Sequence, residues 1–223
     1  MWSGDLAALG WQSLAPRRRT IERVVLLGPT HRVGIRGIAL PGADVFRTPL
    51  GDLPIPTEEV LEATADLPCP VHVDPLTHAR EHALEVQVPF IQRVLGAVQL
   101  VPLNVGVADP DEVADVIEAL WGDRRTAVAV STDLSHYHDA DTARDLDRAT
   151  IRRVLELSGP VGPERACGAF PLNGLLEVCV RRGLHPHLLG AHNSGDAPGG
   201  DSDRVVGYAA FAIEEEHHEP SAT

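Results

Sequence analysis

The chain has 223 residues, of which 43% are hydrophobic, and its formal net charge is −13 at pH 7. This length and composition predict one globular domain with a sizeable core. The acidic charge disfavours binding to nucleic acid or to anionic lipid. No apolar run approaches the roughly 20 residues that span a bilayer, and the first residues lack the pattern of a signal peptide. We therefore expect a cytoplasmic protein that binds neither nucleic acid nor a membrane.

The basic residues and the cysteines exclude several kinds of catalytic and structural site. Every basic residue is an arginine, which excludes a Schiff-base lysine and a Walker-type phosphate lysine. The three cysteines, Cys69, Cys167 and Cys179, are too few and too scattered for a disulfide framework. We expect them to be reduced thiols.

Short β-branched runs alternate with amphipathic stretches along the chain. The predicted helices cover residues 3–14, 57–66, 80–94, 110–121, 141–157 and part of 167–182, the last interrupted near Pro171. The predicted strands cover residues 23–27, 71–73, 98–103, 126–131, 185–189 and 204–213, with extended segments and turns around 35–50. This alternation predicts an α/β fold with a mixed, largely parallel sheet flanked by helices. Residues 1–213 are expected to form a single domain and 214–223 a disordered tail, in which His217 and His218 are solvated.

Histidines and a cysteine stand at positions from which side chains can be aimed at one end of the sheet. His31 follows the strand at 23–27, and Asp133 and His136 follow the strand at 126–131. Ligands of open α/β sheets bind beyond the carboxyl ends of the strands. Cys167 precedes Gly168 at the start of a predicted helix, where unpaired N–H groups favour a thiolate. The alternatives are that His31 is a turn residue and that Cys167 is a buried, inert thiol.

A further histidine pair lies at helical spacing. His78 and His82 are four residues apart and would share a face of the predicted helix at 80–94 if that helix began early enough. His82 opens the apolar face, Glu85 is placed to orient it, and His78 is expected to be a surface residue. The acid at Glu81 precedes His82, so the zinc-protease pattern HExxH is excluded.

Asp133 and His136 are the candidates for general acid–base catalysis. Together they can transfer protons or bind substrate, or they can form a structural hydrogen bond at a strand end. The chain has no GxSxG nucleophile elbow and no glycine-rich phosphate loop after a strand.

Seven motifs in order resemble the Memo family, whose prokaryotic members are labelled AmmeMemoRadiSam system protein B. They read LLGPTH, TPLGDL, EHALEVQVPFIQ, VPLNVG, STDLSHY, ACGAFPL and SDRVVGYAA, and they run from about residue 2 to 213. The resemblance implies the fold of the class III extradiol dioxygenases (LigB-like). The family's metal-site histidines in GPSH and EHS and its cysteine in CG fall on His31, His82 and Cys167. Its SSDxxH motif falls on Asp133 and His136, which are therefore expected to be catalytic residues of the cleft.

One departure from the family pattern concerns the start of the domain. Family members usually begin with a strand ending PHAGY just before the Ser-Gly of the first helix, which here is Ser3-Gly4. We therefore expect the first family strand and its histidine to be lacking. Losing a central strand would expose backbone groups and apolar surface.

The resemblance implies a His/His/Cys metal site that holds Fe or Cu, with Zn as a further candidate. Class III dioxygenases bind Fe(II) through two histidines and a carboxylate, and here Cys167 would replace the carboxylate. The first hypothesis is a metal-dependent, dioxygenase-like oxidoreductase acting on a small molecule, although turnover stays open. The alternative is a non-catalytic metal-binding or peptide-binding module with a signalling or carrier role. A third possibility is metal-assisted hydrolysis with Asp133 or Glu85 as base. The family label also implies a radical-SAM protein as a pathway partner.

Overall fold

A computed structural model describes residues 2–215 of the chain. Its helices are α1 (Gly4–Gln12), α2 (Thr57–Thr64), α3 (Pro75–His78), α4 (Val88–Leu95), α5 (Pro110–Trp121), α6 (Ala140–Leu155) and α7 (Ala169–Arg182). Its strands are β1 (Arg23–Pro29), β2 (Ile38–Leu40), β3 (Val45–Thr48), β4 (Gly51–Pro54), β5 (His72–Val73), β6 (Gln99–Val105), β7 (Thr126–Val130), β8 (His136–His138), β9 (Leu184–Asn193) and β10 (Val205–Glu215).

The central sheet has the strand order β5-β2-β6-β1-β7. Its middle strands, β6, β1 and β7, are parallel, and β2 pairs antiparallel with β6. Strands β1 and β6 are near-continuous apolar runs that are buried along almost their whole length, as is typical of parallel strands covered on both faces. Because β6, β1 and β7 run the same way, the loops that follow β1 and β7 meet at one end of the sheet.

Helices cover both faces of this sheet because strand side chains alternate. Val24 and Leu26 point to a cluster formed with α1 and α4, whereas Val25 and Leu27 point to a cluster formed with α2, α5 and α7. The mixed α/β fold with a largely parallel sheet flanked by helices is therefore confirmed, and it is consistent with the expected Memo and LigB-like fold. No helix of the described residues is long and apolar enough to cross a membrane.

A second sheet lies beyond β7. It is antiparallel with the order β8-β10-β9, and β3 and β4 form a separate hairpin. Within residues 2–215, β7 is hydrogen-bonded to β1 on one side and to no strand on the other. The outer edges of β7 and β10 are therefore both open along most of their length.

Two predicted helices differ from those observed. The predicted helix at 80–94 is wrong in its first half, because residues 79–87 form turns and α4 begins only at Val88, with Pro89 in its first turn. The predicted interruption near Pro171 is also wrong. Pro171 stands in the first turn of α7, where a missing N–H breaks no helical hydrogen bond.

The end of the predicted domain lies inside a strand, since β10 extends to Glu215 rather than ending at Ile213. The remaining residues of the predicted tail, 216–223, lie outside the described residues, and the expectation that His217 and His218 are solvated lies outside them too.

Candidate metal centre

His31 is held at the carboxyl end of β1 by a buried carboxylate. Its Nδ1 lies 2.8 Å from one oxygen of Glu81, whose side chain is only 3% exposed. The backbone N–H groups of His31 and Arg32 donate to the other oxygen, at 2.7 Å for Arg32. Three donors therefore satisfy the carboxylate and fix the ring, leaving the Nε2 of His31 to face away from Glu81.

The electrostatics of this pair follow from its neighbours. A hydrogen bond with the thiol of Cys167 raises the pKa of His31 to about 9, burial opposes that increase, and Glu81 adds to it. Burial acts to raise the pKa of Glu81, but hydrogen bonds from His31 and Arg32 outweigh it and leave this pKa below its ordinary value. At neutral pH the two form an imidazolium–carboxylate pair. A metal ion must displace that imidazolium proton to bind His31.

Cys167 is placed beside the end of β7 by the start of α7. The backbone N–H of Asp133 donates to its Sγ at 3.3 Å, and the N–H of Gly168 donates to Thr132 Oγ1 at 2.7 Å. A side chain at Gly168 would put its Cβ 2.7 Å from the Cβ of Thr132. Glycine at this position therefore allows the start of α7 to dock directly on the residues that follow β7.

His82 lies in the loop before α4 and stacks on His31. The two ring centroids are 5.0 Å apart, with an interplanar angle of 24°. The hydroxyl of Ser131 donates to the carbonyl of Ala83 at 2.7 Å, and the Gln87 amide donates to that hydroxyl at 3.2 Å. These bonds tie the loop to the end of β7, so both histidines and Cys167 belong to one rim of the sheet.

Asp133 and His136 form the other side of the same rim. Nε2 of His136 lies 3.9 Å from Oδ2 of Asp133. Burial raises the pKa of Asp133, against the opposing charges of three nearby histidines. Burial and the charge of Asp133 together raise the pKa of Tyr208 to about 12. A carboxyl with a raised pKa beside a neutral phenol is suited to carrying a proton.

The potential ligand atoms fall into two triads, in each of which they lie within 4.8 Å of one another. One triad is His31, Glu81 and His82, and the other is Asp133, His136 and Cys167. The predicted metal ligands are thus divided between the triads: His31 and His82 belong to the first and Cys167 to the second. The assignment of His31, His82 and Cys167 as ligands stays a prediction, as do the catalytic roles of Asp133 and His136.

Sequence reasoning overlooked two residues of this rim. In the sequence, Glu81 was used only as evidence against the HExxH pattern, and Glu85 was expected to orient His82. In the structure, it is Glu81 that orients a histidine, and that histidine is His31. The available signal was the acid directly before His82 in the same motif. Tyr208 carried no signal, because its place near Asp133 depends on how β10 lies against the rim.

His78 and Cys179 lie outside the rim and have structural roles. His78 ends α3 rather than sharing a helix with His82, and its Nε2 lies 2.9 Å from the carbonyl oxygen of Ala39. Its predicted surface position is therefore corrected to a half-buried one. Cys179 is fully buried in α7, and burial raises its pKa to about 12, as expected of an inert thiol.

Fold and rim together define an α/β protein with a candidate metal centre at the carboxyl ends of its central strands. The family model for Memo-like proteins matches residues 1–212. The chain belongs to the Memo-like family.

Two relatives agree with this assignment, and one solved structure shares the fold. A MEMO1 family protein of Methanopyrus kandleri is 37% identical over 227 residues, covering 95% of this chain and 79% of the relative. One of Methanosarcina barkeri is 32% identical over 228 residues, covering 96% and 83%. The uncharacterized protein JW3007 of Escherichia coli K12 has a similar fold, with a TM-score of 0.55, 14% identity and coverage of 90% and 91%. The more specific AmmeMemoRadiSam label stays a prediction.

Proposed function

We propose that this chain is a Memo-family metalloprotein that holds one transition-metal ion between His31, His82 and Cys167. The observation that carries the proposal is that His31 stacks on His82, that both line one cavity with Cys167, and that Glu81 holds the Nδ1 side of the His31 imidazole. A histidine that donates one ring N–H to a carboxylate and presents its other nitrogen is the usual arrangement of a metal-ligating histidine. Glu81 is thereby assigned to orientation rather than to metal binding, because its oxygens already accept three hydrogen bonds.

The donor set fits a borderline or soft metal. Two imidazoles and one thiolate suit iron, copper or zinc better than magnesium or calcium, which prefer oxygen ligands. The sulfur of Cys167 already accepts the N–H of Asp133, which holds it beside the end of β7. We expect iron or copper, with zinc as the redox-inactive third candidate. Three protein ligands leave room on the metal for a small molecule.

The reaction we propose is a metal-dependent oxidoreduction of a small-molecule substrate. A bound iron or copper would supply electron transfer and oxygen chemistry. The side chains of the protein would transfer the proton. Asp133, whose pKa is raised by burial, donates or accepts the substrate proton. His136 then exchanges that proton with solvent. The location of both groups on the rim, facing Cys167, supports this assignment.

Metal content tests the site first. Protein purified without chelators is analysed for iron, copper and zinc, alongside His31→Ala, His82→Ala and Cys167→Ser. An off-site variant, His72→Ala, is the matched control because His72 is exposed on β5. We expect about one metal ion per protein in the parent and the control, and a strong loss in the three site variants. Equal metal content in all five proteins would refute the site.

Turnover is tested separately. Oxygen uptake is followed with a panel of catechols and aryl amino acid derivatives, using the metal-loaded protein and Asp133→Asn. Uptake that depends on the metal and falls in Asp133→Asn supports the oxidoreductase. Stoichiometric metal without any uptake would overturn it in favour of the non-catalytic metal-binding module.

A further inference from the structure

The short strand β8 carries a strained tyrosine beside the candidate metal centre. Val206 of β10 pairs with His136 and Val205 pairs with His138, so Tyr137 is the extra residue of a β-bulge. Its φ of 64° lies in the left-handed region, where the residue of such a bulge is normally a glycine. Bulges near functional sites redirect a side chain, and here the backbone holds a tyrosine in a conformation that costs free energy.

The protein does not recover this cost by burying the tyrosine. Tyr137 is 64% exposed, and it lines the same cavity as His31, His82 and Cys167. Its ring lies edge-on to the imidazole of His136, with the two centroids 5.7 Å apart. A strained and exposed aromatic residue next to the candidate acid–base residue is therefore best explained by a role in ligand binding.

Tyr137 also supports the guanidinium of Arg204. The Cζ atom of Arg204 lies 4.6 Å from the ring centroid of Tyr137, in a cation–π contact. Arg204 is exposed, and its guanidinium forms no hydrogen bond or ion pair with any residue in the described range 2–215. The contact with the ring restricts the arginine side chain and leaves its N–H groups available to an anion.

Arg204 lies close enough to the rim to contact a ligand that is bound there. Because the ring of Tyr137 contacts both groups, Arg204 Cζ is no farther from the His136 imidazole than the two ring distances combined. Acidic residues outnumber basic residues in the chain by 32 to 19, so the overall field repels anions. An anion at this rim consequently needs a local positive partner, which Arg204 supplies.

Arg32 is a second exposed arginine at this rim. It lines the cavity beside His31, but among residues 2–215 only its backbone N–H is bonded, to Glu81. A side chain without such contacts loses more conformational entropy when it binds a ligand, so Arg204 is the better-organised partner. One guanidinium matches a carboxylate in charge and in planar geometry, whereas recognition of phosphate groups commonly uses a cluster of arginines.

We propose that Arg204, held on the ring of Tyr137, binds the carboxylate of the substrate and that this pair selects small aromatic acids. The carboxylate accepts two N–H groups of the guanidinium, and the exposed part of the Tyr137 ring packs against the aromatic part of the ligand. His136 then lies beside the bound molecule. The assignment of this ligand as the substrate rests on the proposed function, whereas its binding does not require a metal.

The test uses phenylacetate as the probe and phenylacetamide as its neutral analogue. Both are titrated into the full chain, as purified and again after chelator treatment, while the amide chemical shifts of His136, Tyr137 and Val205 are followed. We expect phenylacetate to bind roughly tenfold more tightly, the usual advantage of charge-assisted over neutral hydrogen bonds. Phenyl phosphate is the third probe, and markedly tighter binding of it than of phenylacetate would overturn the choice of a carboxylate.

Variants of Arg204 and Tyr137 test the two residues. Arg204→Gln should weaken phenylacetate binding by roughly tenfold, whereas Arg152→Gln, which removes an exposed arginine from the last turn of α6, should leave it unchanged. Tyr137→Phe keeps the ring and should keep the affinity. Tyr137→Gly should lose the affinity without lowering the melting temperature, because glycine adopts a φ of 64° without strain.

Several outcomes would overturn the proposal. Equal affinity of the parent for phenylacetate and phenylacetamide is one, and parent-like binding in Arg204→Gln is another. Loss of binding in Arg32→Gln with retention in Arg204→Gln would assign the carboxylate to Arg32 instead. Unchanged binding in Tyr137→Gly with a lower melting temperature would show that the tyrosine is only structural. Acid-selective binding by a protein that holds no metal would support the Arg204 site and refute only the proposed function.

Discussion

Replacing Glu81 with glutamine is the sharpest perturbation of the candidate metal centre, because the change preserves size and inverts one hydrogen bond. The carbonyl oxygen of glutamine can still accept the N–H groups of His31 and Arg32. Its amide group then faces Nδ1 of His31 and donates to it, whereas the glutamate accepts from it. The proton of a neutral His31 is thereby moved to Nε2, the nitrogen that the metal needs.

The size of the effect depends on pH. With a pKa of about 9, His31 must lose a proton to bind metal at pH 7, which weakens binding by roughly 100-fold relative to the deprotonated site. At pH 7, Glu81→Gln removes part of the proton penalty, because Glu81 helps to raise the pKa of His31. This gain in metal affinity would mask the loss caused by the wrong tautomer. At pH 9.5 the proton penalty is nearly gone in both proteins, so only the orientation of the ring differs. Loss of a carboxylate that orients a metal-bound histidine costs about 10- to 100-fold in affinity.

The assay is chelator competition with Zn²⁺ at pH 9.5 on the parent, Glu81→Gln and Glu85→Gln. Glu85 is the matched control, because it is a nearby exposed glutamate that does not hold His31. We expect weakening of about 10- to 100-fold in Glu81→Gln and little change in Glu85→Gln. Nitrogen chemical shifts of the ring in the metal-free protein should report the tautomer directly. Parent-like affinity in Glu81→Gln at this pH would refute the orienting role of Glu81.

Three further outcomes are expected. Cys167→Ser should lose most of its bound metal by elemental analysis while Cys69→Ser retains it, and equal loss in both would show that the thiol is not a ligand. Between pH 6 and pH 9 the apparent metal affinity of the parent should rise about tenfold per pH unit, because the raised pKa of His31 keeps it protonated below about 9; a flat titration profile would contradict this competition. Gly174→Ala should lower the unfolding free energy by about 1–3 kcal/mol, since its Cβ would lie 2.3 Å from Val113 Cγ1. That loss corresponds to a fall of several degrees in melting temperature by calorimetry, and an unchanged melting temperature would show that α5 and α7 separate easily.

Local patterns in the sequence were sufficient for most of the secondary structure. The apolar runs of β1 and β6 and the helix of residues 110–121 appear where their composition predicts them. The capped start of α5, where Asp109 and Glu112 form a capping box, is a purely local feature. Residues 79–87 are the exception, because their apolar spacing predicts a helix that the structure does not form. The hydrogen bond from Ser131 to Ala83 and the packing of Leu84 against Gly28 hold this segment in a non-helical conformation.

The sequence by itself determined the chemistry available to this protein: imidazoles after strands, a thiol before a helix and an acidic surface without lysine. It also determined the fold class, because the alternation of apolar runs is read along the chain. Only the tertiary structure decided that Glu81 orients His31, that Tyr208 lies near Asp133 and that Arg204 lies over the ring of Tyr137. The reason is that these relations join residues far apart in the chain, and their distances depend on how separate elements pack rather than on any local pattern.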